Sequence, residues 1–174
     1  MYTRMNSFID KEGILCSSQY GLRQNHSTEH PILDIVKNIQ SDMDKGHFSC
    51  GVFIDLQKAF DTVNHDILLQ KLDYHGFRGI INEWFSSYLR QKTQVTIVES
   101  QTSDSSRIVC GVPQGSAQGP PRFLLYINDI CSCSSRLGFS LFADDTNLLY
   151  SHKNLKTLER IVNDELANVY NWLT

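Results

Sequence analysis

Two adjacent carboxylates, Asp144 and Asp145, sit inside an otherwise apolar stretch, with apolar runs at residues 137–143 and 147–150 on either side. Short apolar runs around a polar pair predict strand, tight turn, strand, with the acids at the tip of a hairpin. Neighbouring carboxylates repel, so a fold that forces them together calls for a cation to neutralise them. A third acid, Asp55, directly ends another apolar run, Val52-Phe53-Ile54. Three carboxylates on adjacent strand ends can hold two Mg²⁺ ions about 3.5–4 Å apart, the arrangement that drives phosphoryl transfer.

The chain has 174 residues, enough for one domain with a real core. Hydrophobic residues make up 41% and charged residues 20%, which fits an ordinary globular protein rather than a disordered one. The net charge of −3 gives no overall basic footprint for nucleic acid, though it leaves room for a local basic groove. The five cysteines are odd in number and form no C-x-x-C pair. That argues against a disulfide framework or a zinc site and predicts reduced thiols in an intracellular setting, nucleus or cytoplasm being equally open. The first residues show no signal-peptide run, and no stretch reaches the roughly 18 apolar residues of a membrane span, so no membrane association is expected.

Periodicity predicts a helix over residues 1–12 stopped by Gly13. Another follows Ser27-Thr28, with Pro31 in its first turn and Gly46 at its end. A buried strand covers 49–56. Asn64 is suited to cap a helix closed by Gly76, and a further helix covers 78–91. Residues 93–99 and 106–111 read as a β-hairpin turning at Thr102-Ser103-Asp104. Pro120 starts a helix to about Cys131, and after the acidic hairpin Leu155, Leu158, Ile161, Val162, Leu166, Val169 and Leu173 form a helical stripe. Interleaved helices and hairpins predict an α+β fold, with helices on one face of an antiparallel sheet.

Asp55-Leu56-Gln57-Lys58-Ala59-Phe60-Asp61 follows the first strand, where turn carbonyls can join a metal shell; Asp61 reads rather as a cap for the next helix, an alternative that applies less well to Asp55 because it directly ends an apolar strand. Gly111-Val112-Pro113-Gln114-Gly115-Ser116 is a strand-to-helix loop that lets backbone N–H groups approach a ligand. In order, D-x-x-K-A-F-D, G-V-P-Q-G-S and F-A-D-D resemble the palm of a reverse transcriptase, above all those of non-LTR (LINE-type) retrotransposons. Gln19-Tyr20-Gly21-Leu22-Arg23 with Ser27-Thr28 resembles that family's Q-x-G-F-R…S-T segment, and residues 123–129 resemble its F-L-L-Y-I-N-D helix.

The resemblance implies an RNA-directed DNA polymerase domain, with residues 1–48 as partial fingers and 49–174 as palm. Asp55, Asp144 and Asp145 would be the catalytic acids that bind two Mg²⁺ ions, with Mn²⁺ as a substitute. Leu56, Phe60, Gln114 and Gly115 would line the nucleotide site, Phe60 as the steric gate that favours dNTPs over rNTPs. Arg23 would contact nucleic-acid phosphates. The partners implied are an RNA template, a DNA primer and dNTPs. Against the family pattern, upstream fingers and downstream primer grip and thumb are expected to fall outside these 174 residues, so that a relic binding nucleic acid without catalysis is the competing reading. Ala117-Gln118 and Pro121-Arg122 depart from the family's apolar pairs, and Arg122 stands where a core leucine is expected.

Overall fold

A computed structural model describes residues 2–113 and 119–174. In chain order the elements are α1 (Tyr2–Lys11), α2 (Glu29–Asp44), β1 (Phe48–Ile54), α3 (His65–Tyr74), α4 (Ile80–Arg90), β2 (Thr93–Gln94), β3 (Ile97–Val98), β4 (Gln101–Thr102), β5 (Ser106–Arg107), α5 (Gly119–Ile127), a 3₁₀ turn (Asn128–Ser132), β6 (Gly138–Phe142), β7 (Asp145–His152) and α6 (Leu155–Leu173). The chain forms two compact units, one of residues 1–8 and 58–126, the other of residues 9–57 and 127–174. Among the described residues, no helix is long and apolar enough to cross a membrane.

The second unit is built on an antiparallel sheet in the order β1-β7-β6. Side chains alternate across a strand, so β1 divides cleanly: Val52 and Ile54 point to the core while Phe53 between them is 70% exposed. The core face gathers Val52, Ile54, Leu148 and Tyr150 with Leu137, and Leu166 and Val169 of α6 close over it. The stripe expected on α6 is therefore buried in its middle, at Leu158, Ile161, Val162 and Val169, and exposed at its ends, Leu155 and Leu173. Each fully buried side chain of this kind contributes about 1.5–3 kcal/mol. Asn154 fixes the start of α6, its Oδ1 accepting from the Thr157 amide at 3.0 Å. α2 packs against β1 and β6.

In the first unit, α3 and α4 pack together. Leu68, Leu72, Phe85 and Leu89 are buried, and Phe77 meets Phe8 edge-on with ring centroids 5.0 Å apart. Asn64 caps α3 as expected, accepting from the amides of Asp66 at 2.9 Å and Ile67 at 3.2 Å, so the cap is neither Asp55 nor Asp61. The expected hairpin over residues 93–111 is present, but its turn is displaced. β3 pairs with β4 through Val98↔Gln101, leaving Glu99-Ser100 as a two-residue loop, and β2 pairs with β5. Both loop residues have positive φ, 46° and 69°, as a type I′ turn requires, and its twist suits the flanking strands better than a turn at residues 102–104. The helix after Pro120 also differs from expectation: α5 ends at Ile127 and the chain continues as the 3₁₀ turn. There the Asn128 side chain is taken up by the loop after α1, accepting from the Cys16 amide at 2.7 Å and donating to the Ile14 carbonyl at 2.8 Å.

Arg122 is fully buried on α5, in the position where a leucine is expected. Its guanidinium carbon lies 4.9 Å from the Phe85 ring centre and 4.5 Å from that of Tyr88, and the Tyr88 hydroxyl hydrogen-bonds to it. The charge is thus partly compensated by two aromatic faces. Burial still lowers the Arg122 pKa from its ordinary value, with the Tyr88 contact opposing. An apolar residue avoids that desolvation, so Arg122→Leu is expected to stabilise the protein by about 1–2 kcal/mol, seen as a rise of a few degrees in thermal unfolding. A fall in melting temperature would mean that the ring contacts outweigh the cost of burial.

Candidate active site

All three predicted acids belong to the second unit. β6 and β7 pair through Phe142↔Asp145, which leaves Ala143-Asp144 as a two-residue turn. Ala143 has a φ of 57° and Asp144 is not in the left-handed region, the sign pattern of a type II′ hairpin turn. A non-glycine residue there costs about 1–2 kcal/mol, so the surroundings must hold it. β1 pairs with β7 up to Ile54↔Thr146, so Asp55 is the first residue beyond the paired part of β1 and Asp145 the residue next to Thr146 on β7. By alternation both acids lie on the face of Phe53, the side away from the Val52, Ile54 and Leu148 core. Asp55 and Asp145 are exposed and Asp144 is half-buried. The sheet therefore buries one face and presents its carboxylates on the other.

The hairpin turn is held from the N-terminal side of the chain. Residues 18–21 run beside β6: the Tyr20 amide donates to the Leu141 carbonyl and the Leu141 amide to the Ser18 carbonyl, both at 2.8 Å, and Gln19 bridges to Leu141 in parallel. Gln19 is only 1% exposed. Its Oε1 accepts from the Ala143 amide at 3.0 Å and the Gly21 amide at 2.8 Å, and its Nε2 donates to the Ala143 carbonyl at 3.3 Å. Tyr20 donates through its hydroxyl to Asp34 on α2 at 2.5 Å, and this hydrogen bond, with burial, raises its pKa to about 12. Gly21 packs so closely on the turn that an added Cβ would lie 2.0 Å from the Ala143 nitrogen. Nothing local to residues 19–21 assigns Gln19 or Gly21 this role. The available signal was the Q-x-G spacing, a side-chain amide two residues from a glycine.

The other expected site residues are distributed as follows. Leu56, half-buried, follows Asp55 in the second unit. Phe60 belongs to the first unit, where its ring stacks on Phe123 at a centroid distance of 4.3 Å. In the same unit Gly111 and Val112 clamp that segment, their amides donating to the Val63 and Phe60 carbonyls at 2.8 Å each. Gly111 has a φ of +89°, and a Cβ would come 2.8 Å from the Asp61 carbonyl oxygen, so glycine is required there. Gln114 and Gly115 lie outside the described residues, as does the Ala117-Gln118 departure. Arg23 donates through Nη1 to the Gln19 carbonyl at 3.1 Å, which gives its guanidinium a structural use.

Residues 1–173 match the reverse transcriptase (RNA-dependent DNA polymerase) family. The chain belongs to that family. Its sequence is 30% identical to a probable RNA-directed DNA polymerase from transposon BS of Drosophila melanogaster, over 97% of this chain and 19% of the relative. It is 28% identical to the RNA-directed DNA polymerase from mobile element jockey of the same organism, over 79% of this chain and 16% of that one. The reverse transcriptase chain described here thus spans less than a fifth of the length of these relatives. Apo telomerase from Candida tropicalis, truncated from its C-terminal domain, shares the fold at a TM-score of 0.65 and 16% identity, over 95% of this chain and 35% of the telomerase.

Reverse transcriptases use divalent metal ions, and the donor set here suits them. Among the described residues, no three His, Cys, Asp or Glu side chains form a ready-made cage. Mg²⁺ does not need one, because it is usually held by one or two carboxylates completed by substrate phosphates and water. Hard oxygen donors on an open strand end, with no thiolate or imidazole named among them, fit that pattern.

Proposed function

We propose that this chain carries the catalytic acids of an RNA-directed DNA polymerase, with Asp55, Asp144 and Asp145 holding two Mg²⁺ ions, or Mn²⁺ in their place. The observation that supports the reading is the strand register, which ends at Ile54↔Thr146 and so leaves Asp55 and Asp145 as the next residues on adjacent strands, beside the Asp144 turn. When bound, the cations supply Lewis-acid activation of the primer 3′-hydroxyl and neutralise charge on the leaving pyrophosphate. Asp55 and Asp145, on adjacent strands, and Asp144, in the turn beside them, would orient the reacting groups. RNA template, DNA primer and dNTPs are the partners assigned. Residues 1–48 are assigned to partial fingers and 49–174 to palm, and Leu56, Gln114 and Gly115 to nucleotide contacts. Arg23 is assigned to backbone phosphate through the guanidinium nitrogens that do not serve Gln19.

Primer extension tests the reading directly. The purified chain, given an RNA template, an annealed DNA primer, dNTPs and Mg²⁺, is expected to lengthen the primer, and to stop doing so in chelator. Failure of the folded chain to extend in Mg²⁺ and in Mn²⁺ would count against catalysis by this segment and favour a nucleic-acid-binding remnant.

Phe60 is proposed as the gate against ribonucleotides. Its aromatic ring would meet a ribose 2′-hydroxyl, so Phe60→Ala is expected to reduce the preference for dNTPs over rNTPs by about tenfold or more. The ratio is taken on one preparation, so any loss of folded protein from the missing Phe123 stack cancels. An unaltered ratio would leave Phe60 as a packing residue alone.

A further inference from the structure

We infer that Gln19 is a positioning residue for the metal-binding turn: its side-chain amide fixes the Ala143 backbone and so sets where the Asp144 carboxylate stands. The inference rests on the reading that Asp144 binds a divalent cation. A two-residue turn leaves Ala143 with one amide and one carbonyl to satisfy, and Gln19 takes both, at 3.0 Å and 3.3 Å. The carbonyl belongs to the peptide that joins Ala143 to Asp144, so holding it fixes the plane from which the carboxylate departs. The second bond accepted by Oε1, from the Gly21 amide at 2.8 Å, and the hydrogen bonds of residues 18–20 to Leu141 lock Gln19 itself in place.

The choice of residue is chemically narrow. Oε1 must face two N–H donors and Nε2 must face a carbonyl, which only a carboxamide of this length supplies. The amide is neutral, so it steadies the turn without adding to the negative charge of Asp144 and Asp145. Glutamate would keep the acceptor and lose the donor, and lysine would have no acceptor. The Gln19 side chain is buried at 1% exposure, so it has no route to the substrate and acts through the turn alone. Groups that orient a metal ligand in this way typically change metal affinity by about 10–100-fold when removed.

The test is Mn²⁺ binding to the full chain, followed by electron paramagnetic resonance of the free ion, for the parent, Gln19→Met and Asp144→Asn, with thermal unfolding of each. Methionine matches the length of glutamine and makes none of its hydrogen bonds. We expect the folded Q19M variant to bind Mn²⁺ about 10–100-fold more weakly, and D144N to lose saturable binding. A folded Q19M with the parent's affinity, beside a D144N that has lost it, overturns the inference while leaving the metal site intact, since a purely structural glutamine lowers the melting temperature without moving the affinity. A D144N that binds as the parent does overturns the metal reading itself. Should Q19M not fold, the parent decides: the Gln19 side-chain amide resonances are expected to shift in step with the Asp144 amide as Mg²⁺ is titrated, and an unmoved Gln19 amide overturns the inference.

Discussion

Asp144→Asn is expected to cut Mg²⁺-dependent primer extension by about 10³-fold or more, at least the loss that follows removal of a single electrostatic contact in a polar active site. The change removes one negative charge and keeps the shape of the side chain. Without metal, the substitution relieves repulsion between neighbouring carboxylates, so the fold should melt at or slightly above the parent's temperature. The two proteins part company when Mg²⁺ is added. A ligand at ten times its dissociation constant stabilises the native state by about 1.4 kcal/mol, and only the parent should show that gain. Extension at the parental rate by D144N, or an equal Mg²⁺-linked rise in melting temperature, would sink the assignment of Asp144.

Gly21→Ala should have the largest effect on the fold. A Cβ at this position would lie 2.0 Å from the Ala143 nitrogen, 2.6 Å from the Phe142 carbonyl carbon and 2.9 Å from the Ala143 Cα. All three are backbone atoms of the acidic hairpin, so no side chain can swing aside. Overpacking against such a wall costs about 3 kcal/mol, a large part of the stability of a small domain. Thermal unfolding is expected about 6–12 °C lower. The change also pushes on the turn that carries Asp144, so activity should fall further than stability explains. Gly46→Ala serves as the control: Gly46 has a φ of +68° with nothing within 4 Å of an added Cβ, so it should cost only the backbone strain, about 1 kcal/mol. Equal melting temperatures for the parent and Gly21→Ala would contradict the close packing of residues 18–21 on the hairpin.

Much of the site was legible in the sequence because its residues mark the ends of regular elements. Asp55 ends an apolar run and directly follows β1, and Asp144-Asp145 split two apolar runs, with Asp144 in the hairpin turn and Asp145 the first residue of β7. Asn64 announces a cap by residue type, and the α6 stripe by its period. Where the local signal is weak, the structure departs from the local pattern. Thr102-Ser103-Asp104 is the more turn-like in composition, yet the turn falls at Glu99-Ser100, residue types uncommon at positive φ. Helical periodicity past Ile127 gave no notice of the 3₁₀ turn, because the deciding hydrogen bonds join Asn128 to Cys16 and Ile14, far away in sequence. An arginine at a core-leucine position is visible in the sequence, whereas its stacking on Phe85 and Tyr88 depends on a different helix and is not.

The sequence alone determined the family in which such an ordered set of acids occurs and the elements that carry them, since strand ends, turns and caps are written in residue types and spacings of a few positions. Only the tertiary structure decided what sets the acids in place. The register of β1 on β7, and the hold of Gln19 and Gly21 on Ala143 across more than a hundred residues, are long-range choices. They are made by which backbone groups find partners once the core face of the sheet is buried, and no local pattern encodes that.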